Sequence, residues 1–244
     1  MLDSIHFVLN GKGGCGKSYI ASMITQYLRH QHADDATVVQ CVDTDPTNKT
    51  VSQFADFQAK ELDIVADDGN IDTRRFDDLY EITLNHAGPT VVDFGSSSFI
   101  PFTAYSCEND LFSTIQEYGR KLVLHVPVVG GQAANDTMDG LEHLLKTQSG
   151  PVVVWLNEFF GGIGTKSRGF FDTDLYREYK DRIVGIVRLE KGKERTTAED
   201  IREMVAKSVT FQRAVESPLF SIAARSRIKR VRDGVFSQLD QIQV

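Results

Sequence analysis

A chain of 244 residues and 27.3 kDa is long enough for one large α/β domain. Its 27 Lys and Arg against 34 Asp and Glu leave a net charge of −7, which argues against a wholly basic nucleic-acid coat and restricts any nucleic-acid contact to a local patch. No run reaches the roughly 18 apolar residues of a membrane-spanning helix, and Cys15, Cys41 and Cys107 are too few and too dispersed for a disulfide framework or a CxxC metal site.

The first residues lead into an apolar segment without a basic n-region or a cleavage site, so a cytoplasmic location is expected. From there, short β-branched runs alternate with segments of helical period, the pattern of a parallel sheet with crossover helices. Strands are predicted at residues 5–9, 36–42, 89–93, 121–127, 151–156 and 182–187. Helices are predicted at residues 17–30, 73–84, 110–118, 132–147 and 172–179. In the first of these, Ile20, Met23, Ile24 and Leu28 share one face that can cover the sheet. Beyond residue 200 no strand is readable and the pattern gives three helices. That segment buries too little surface to stand alone, so the expectation is a single domain over 1–244 with 200–244 as its helical C-terminal part.

Directly after the first predicted strand, Gly11-Lys12-Gly13-Gly14-Cys15-Gly16-Lys17-Ser18 matches G-x-x-x-x-G-K-[S/T] and runs into a predicted helix. The glycines let backbone N–H groups turn inward, the helix N-terminus adds positive potential, and Lys17 neutralises β- and γ-phosphate charge. Ser18 is then placed to ligate Mg²⁺. The fold class that follows is a P-loop NTPase: three α/β/α layers around a mostly parallel sheet, with a helical C-terminus.

The second predicted strand leads into Asp43-Thr44-Asp45-Pro46. In an extended backbone Asp43 and Asp45 project together while Thr44 points away, and two carboxylates beside a phosphate loop suit a metal and a water. A polar turn with Asp as a helix cap is the competing reading. The third strand ends Val91-Val92-Asp93-Phe94-Gly95, as expected of a carboxylate that holds Mg²⁺ through water. Gly95 and Ser96-Ser97-Ser98 supply a mobile segment that can sense a γ-phosphate. A later strand delivers Asn157 to the same edge, where an isolated Asn also fits a plain turn.

With Lys12 included, the loop resembles the deviant Walker A ATPases of the ParA/MinD family, whose loop reads KGGxGK[S/T]. The stretches HFVLNGKGGCGKS, CVDTDPTN, VVDFGSSSF, VVVWLNEFFG and RIKRVRDGVFSQLD are most similar to its TraL-like subgroup. The resemblance implies a SIMIBI-type fold and an ATP-binding, slowly hydrolysing, partner-stimulated dimerisation switch in plasmid conjugative transfer, near type IV secretion machinery, or in plasmid positioning. It implies that Lys12 reaches the phosphates of a second copy, that Asp43 organises the Mg²⁺ shell, that Asp45 orients the attacking water, and that Asn157 bonds adenine. Residues 186–189 lack the Pro-Glu that lines the base pocket in relatives. Two other classes remain open: a metabolic P-loop enzyme, either a small-molecule kinase or an ATP-dependent ligase, and a nucleotide-binding adaptor that does not hydrolyse.

Cys15 stands at a helix N-terminus beside two lysines, which predicts a depressed pKa and a redox-sensitive site. Only one cysteine follows Asp93, too few per subunit to bridge an iron–sulfur cluster across a dimer. Arg225, Arg227, Lys229, Arg230 and Arg232 lie along a helix whose Ile228, Val231, Val235, Leu239 and Ile242 form an apolar stripe. Three readings stand for it: a packed terminal helix, a surface for non-specific DNA, and a membrane-surface helix. The stretch 159–171 carries four phenylalanines, Lys166 and Arg168, and reads either as a partner contact or as phenylalanines packed in the core.

Overall fold

The computed structural model describes residues 4–32, 39–46, 48–163, 169–190 and 195–242. Seven strands form one sheet: β1 (Ser4–Val8), β2 (Gln40–Asp43), β3 (Lys60–Glu61), β4 (Thr90–Asp93), β5 (Lys121–Val129), β6 (Val152–Asn157) and β7 (Ile183–Leu189). Their order is β3-β2-β4-β1-β5-β6-β7 and every pairing is parallel. Nine helices connect or cover them among the described residues: α1 (Lys17–Gln31), α2 (Arg75–Leu84), α3 (Phe99–Glu108), α4 (Leu111–Glu117), α5 (Ala134–Thr147), α6 (Asp174–Tyr179), α7 (Arg195–Ala206), α8 (Phe211–Glu216) and α9 (Ile222–Leu239). The result is the three-layer α/β/α fold. No helix among the described residues is long and apolar enough to cross a membrane.

Alternation along the strands divides the core in two. Ile5, Phe7 and Leu9 join Val92, Leu124, Val126, Val154 and Leu156 beneath α2 to α5. Val8 joins Val91, Val123, Val153, Trp155 and Val187 beneath α1 and the C-terminal helices. The inner strands are buried on both faces, which is why they read as continuous apolar runs. Within this apolar interior lies a polar chain: Trp155 Nε1 donates to His125 Nδ1 at 3.0 Å, and His125 Nε2 lies 2.9 Å from His6 Nδ1. Because His125 Nδ1 accepts, its neutral form carries the proton on Nε2, which donates to His6. Burial holds His125 well below the ordinary histidine range, and the neighbouring His6 pushes the same way.

Several expectations need correction. The strand predicted from residue 36 starts at Gln40; its residues 36–38 lie outside the described set. Strand β3 has only two residues, too short to leave a periodic signal. Ser98, at the end of the segment read as a γ-phosphate sensor, is buried, donates to the Gly95 carbonyl at 2.9 Å, and precedes α3, a helix absent from the sequence reading.

The C-terminal helices are tied to α1 and β7. Tyr27 donates to Asp240 at 2.9 Å, Phe211 N donates to Gln26 at 2.6 Å, and Ile228, Val235, Phe236 and Leu239 are buried. The apolar stripe of α9 therefore faces the core. Of its cations, Arg227 pairs with Asp200 and Arg232 with Asp233, while Lys229 and Arg230 are exposed. At the outer edge of the sheet, Gln238 accepts from the Arg188 N–H at 2.7 Å and donates to the Arg188 carbonyl at 3.2 Å. Phe170 is buried in the core, whereas Lys166 and Arg168 lie outside the described residues.

Candidate functional site

β1 lies at the point where the sheet order reverses, with β4 on one side and β5 on the other, so the loop after it opens into the crevice where α/β sheets bind ligands. Cross-strand register brings the distant candidates together: Val8 and Asp43 each stand opposite Asp93, and Val129 stands opposite Asn157. Gly14 (φ 72°) and Gly16 (φ 99°) take the left-handed conformation that the loop's turns require. A Cβ on Gly16 would also lie 2.9 Å from Asn157 Nδ2, so that position is constrained twice. Gly11, Gly13 and Gly14 are exposed, whereas Cys15 and Lys17 are buried. Lys17 Nζ donates to the Lys12 carbonyl at 3.0 Å, which folds the ammonium over the loop.

Three carboxylates converge beside it. Asp93 is fully buried, and neither oxygen has a donor at bonding geometry. Burial pushes its carboxyl up to about 8; Asp43 and Asp45 push the same way, while Ser18 and Lys17 oppose. Asp43 accepts from Asp45 N at 3.1 Å and from Ser52 N and Oγ at 3.0 and 3.1 Å. Burial raises it too, against those hydrogen bonds. Asp45 accepts from Asn48 N at 2.9 Å and lies against Gly95. Thr44 points elsewhere and donates to the Asp93 carbonyl at 3.0 Å.

A buried carboxylate lacking donors is costly unless a cation or proton compensates it. Asp93 beside Ser18 therefore fits Mg²⁺. Among the described residues no three His, Cys, Asp or Glu side chains form a preformed cation cage. A cation here would take its other ligands from phosphates and water, as Mg²⁺ does.

No family model matches the chain. Two Escherichia coli proteins, each named Protein TraL, are 37% and 36% identical to it over 245 residues, covering all of both chains. The chain belongs to the TraL family. Among solved structures, a nucleotide-binding protein from Archaeoglobus fulgidus in complex with ADP has a TM-score of 0.48 at 13% identity, over 84% of this chain and 86% of that one. A plasmid partition protein from Borrelia burgdorferi bound to AMPPNP has a TM-score of 0.47 at 14% identity, over 98% and 99%. At these scores neither likeness bears on ligand or partner.

In this TraL-family chain, Lys12 extends to α5, where its ammonium meets Asp136 at 2.7 Å with 40% of the side chain exposed. Asn157 Nδ2 donates to the Cys15 carbonyl at 3.1 Å and its Oδ1 accepts from Phe159 N at 3.2 Å. The amide thus braces the loop and retains one N–H and one lone pair for a base. The depressed thiol pKa expected for Cys15 is overturned. The side chain is buried, and burial raises the thiol more than Lys17 lowers it. Sequence reasoning missed Asn10, Ser52 and Asp136. Ser52 and Asp136 belong to no motif, and Asn10 is a fully buried polar residue directly before the loop.

Proposed function

We propose that this protein is a P-loop ATPase working as a nucleotide-dependent dimerisation switch in plasmid conjugative transfer or plasmid stability. The observation that carries the reading is the buried Asp93, without a hydrogen-bond donor, beside Lys17 and Ser18, at the mouth of a loop whose Lys12 extends away to Asp136 on α5. Lys17 and the loop N–H groups bind the β- and γ-phosphates. Ser18 and Asp93 would hold Mg²⁺, and Asp43 would organise the groups around it. When bound, the cation neutralises charge that develops on the phosphoryl oxygens. Asp45 orients the water that displaces ADP from the γ-phosphorus. Lys12 stabilises the charge developing on a second copy's phosphates, as an arginine finger does. Asn157 contacts adenine with its remaining N–H. Membership of the TraL family supports the plasmid setting. The reading extends to one domain over 1–244, a cytoplasmic location and ATP-dependent homodimers, with plasmid-encoded transfer or stability proteins as partners.

Light scattering with no nucleotide, ADP, or ATP and Mg²⁺ tests it on wild type, Lys12→Ala and Asp45→Ala. The expected result is a dimer with ATP only, a persistent dimer for Asp45→Ala, and hydrolysis cut to a low residual rate for Lys12→Ala. A mass that ignores nucleotide overturns the switch. One observation favours a second reading, the metabolic enzyme: a cleft of about 740 Å³ lined by Pro46, Val65, Ile71, Ser97 and Pro101 adjoins Asp45 and Gly95, where an acceptor substrate would sit. Turnover that requires a small acceptor would select it.

A further inference from the structure

Asn10 is fully buried and lies outside the glycine-rich motif. A carboxamide brings two N–H donors and an acceptor oxygen, and burying them unpaired is costly. Here Nδ2 donates to the Pro127 carbonyl on β5 at 3.0 Å and to the Thr137 carbonyl in the first turn of α5 at 3.1 Å. Oδ1 accepts the Lys12 N–H at 2.9 Å. Helix α5 makes room for this contact: a Cβ on Gly140 would lie 2.7 Å from Asn10 Oδ1. The same turn is fastened to β5 by Thr137 Oγ1, which accepts from Val129 N at 3.1 Å. The Lys12 backbone is thereby held by Asn10 and its ammonium by Asp136, one residue before Thr137.

We infer that Asn10 is a positioning residue for Lys12: its buried amide, seated against Gly140, fixes the Lys12 backbone to the first turn of α5 and so sets where the Lys12 ammonium reaches. The inference rests on Lys12 acting on the phosphates of a second copy. An amide suits the post because it donates to two carbonyls while accepting from an N–H. A carboxylate would face those carbonyls with repulsion, and an aliphatic side chain would leave all three groups unanswered.

The test compares ATP turnover and ATP affinity for Asn10→Ala, Gly140→Ala, Lys12→Ala and the Asn10→Ala/Lys12→Ala double variant. Gly140→Ala drives a methyl group into the seat from the helix side while improving helix propensity, so it serves even where Asn10→Ala does not fold. Asn10→Ala and Gly140→Ala are expected to lower turnover about tenfold or more, the scale of a sub-ångström to ångström misplacement, with ATP affinity little changed. In the Lys12→Ala background, Asn10→Ala should lower turnover no further. A loss that persists in that background, or an affinity loss as large as the turnover loss, assigns Asn10 to the phosphate cradle in general and overturns the inference. So does wild-type turnover in folded Asn10→Ala and Gly140→Ala. Wild-type turnover in Lys12→Ala alone defeats the dimer reading and the inference with it. Turnover that depends on Lys12 but not on Asn10 defeats only the inference.

Discussion

At the amino end of the sheet, Arg120 donates to the Thr83, His86 and Gly88 carbonyls, and Arg182 donates to the Leu145 and Gly150 carbonyls at 2.7 Å each. There, buried acceptors at helix ends are answered by cations from the strand starts. At the carboxyl end, Asp93 stands without a donor and Asp43 and Asp45 crowd it. One end answers its backbone acceptors within the chain, while the other leaves an acidic cluster that a ligand must complete. The difference separates residues that hold the fold from residues that hold its ligand.

The contrast can be broken in order of expected effect. Lys17→Ala should weaken ATP binding about 100-fold, the worth of two charge-assisted hydrogen bonds, as read by calorimetry. Arg182→Ala should instead lower unfolding free energy by about 2 kcal/mol in urea and leave ATP affinity unchanged; a change in affinity would erase the division between the two ends. Asp93→Asn should raise the unfolding temperature of the nucleotide-free protein at pH 8 by roughly 5 °C, while abolishing Mg²⁺-dependent turnover. The sign follows from proton linkage. Folded Asp93 keeps its proton to about pH 8, whereas the unfolded chain loses it near pH 4. Stability therefore falls as pH rises between those values, and the gain from the amide should vanish toward pH 4. The smallest effect concerns the middle of the sheet. His125 is held neutral in the fold but titrates near 6.5 when unfolded. Its contribution is present above that pH and lost as pH falls below it. In His125→Gln, urea midpoints at pH 7 and pH 5 should lie closer together than in wild type.

Six of the seven strands and the three C-terminal helices were legible, because apolar runs and helical period reflect burial directly. Helix α3 was hidden by Phe99-Ile100-Pro101-Phe102, an aromatic, proline-bearing start that follows glycine and serines and carries no amphipathic rhythm. The motif located Lys17, Ser18 and the loop glycines, since local backbone chemistry dictates those residue types. Asn10 could not be read in the same way: its partners Pro127, Thr137 and Gly140 are more than a hundred residues away along the chain. Cys15 misled for a related reason. Neighbouring charges are visible in a sequence, whereas the desolvation that outweighs them is a property of the packed core.

A seven-stranded parallel sheet has two edges, each able to recruit a foreign strand. One ends in β3, two exposed charged residues long, which offers little to pair with. At the other, the Gln238 carboxamide occupies the N–H and the carbonyl of Arg188, presenting to β7 the donor and acceptor that an eighth strand would bring. Replacing Gln238 with an aliphatic residue would reopen that rung of the ladder. Its consequence would appear as concentration-dependent, nucleotide-independent aggregation.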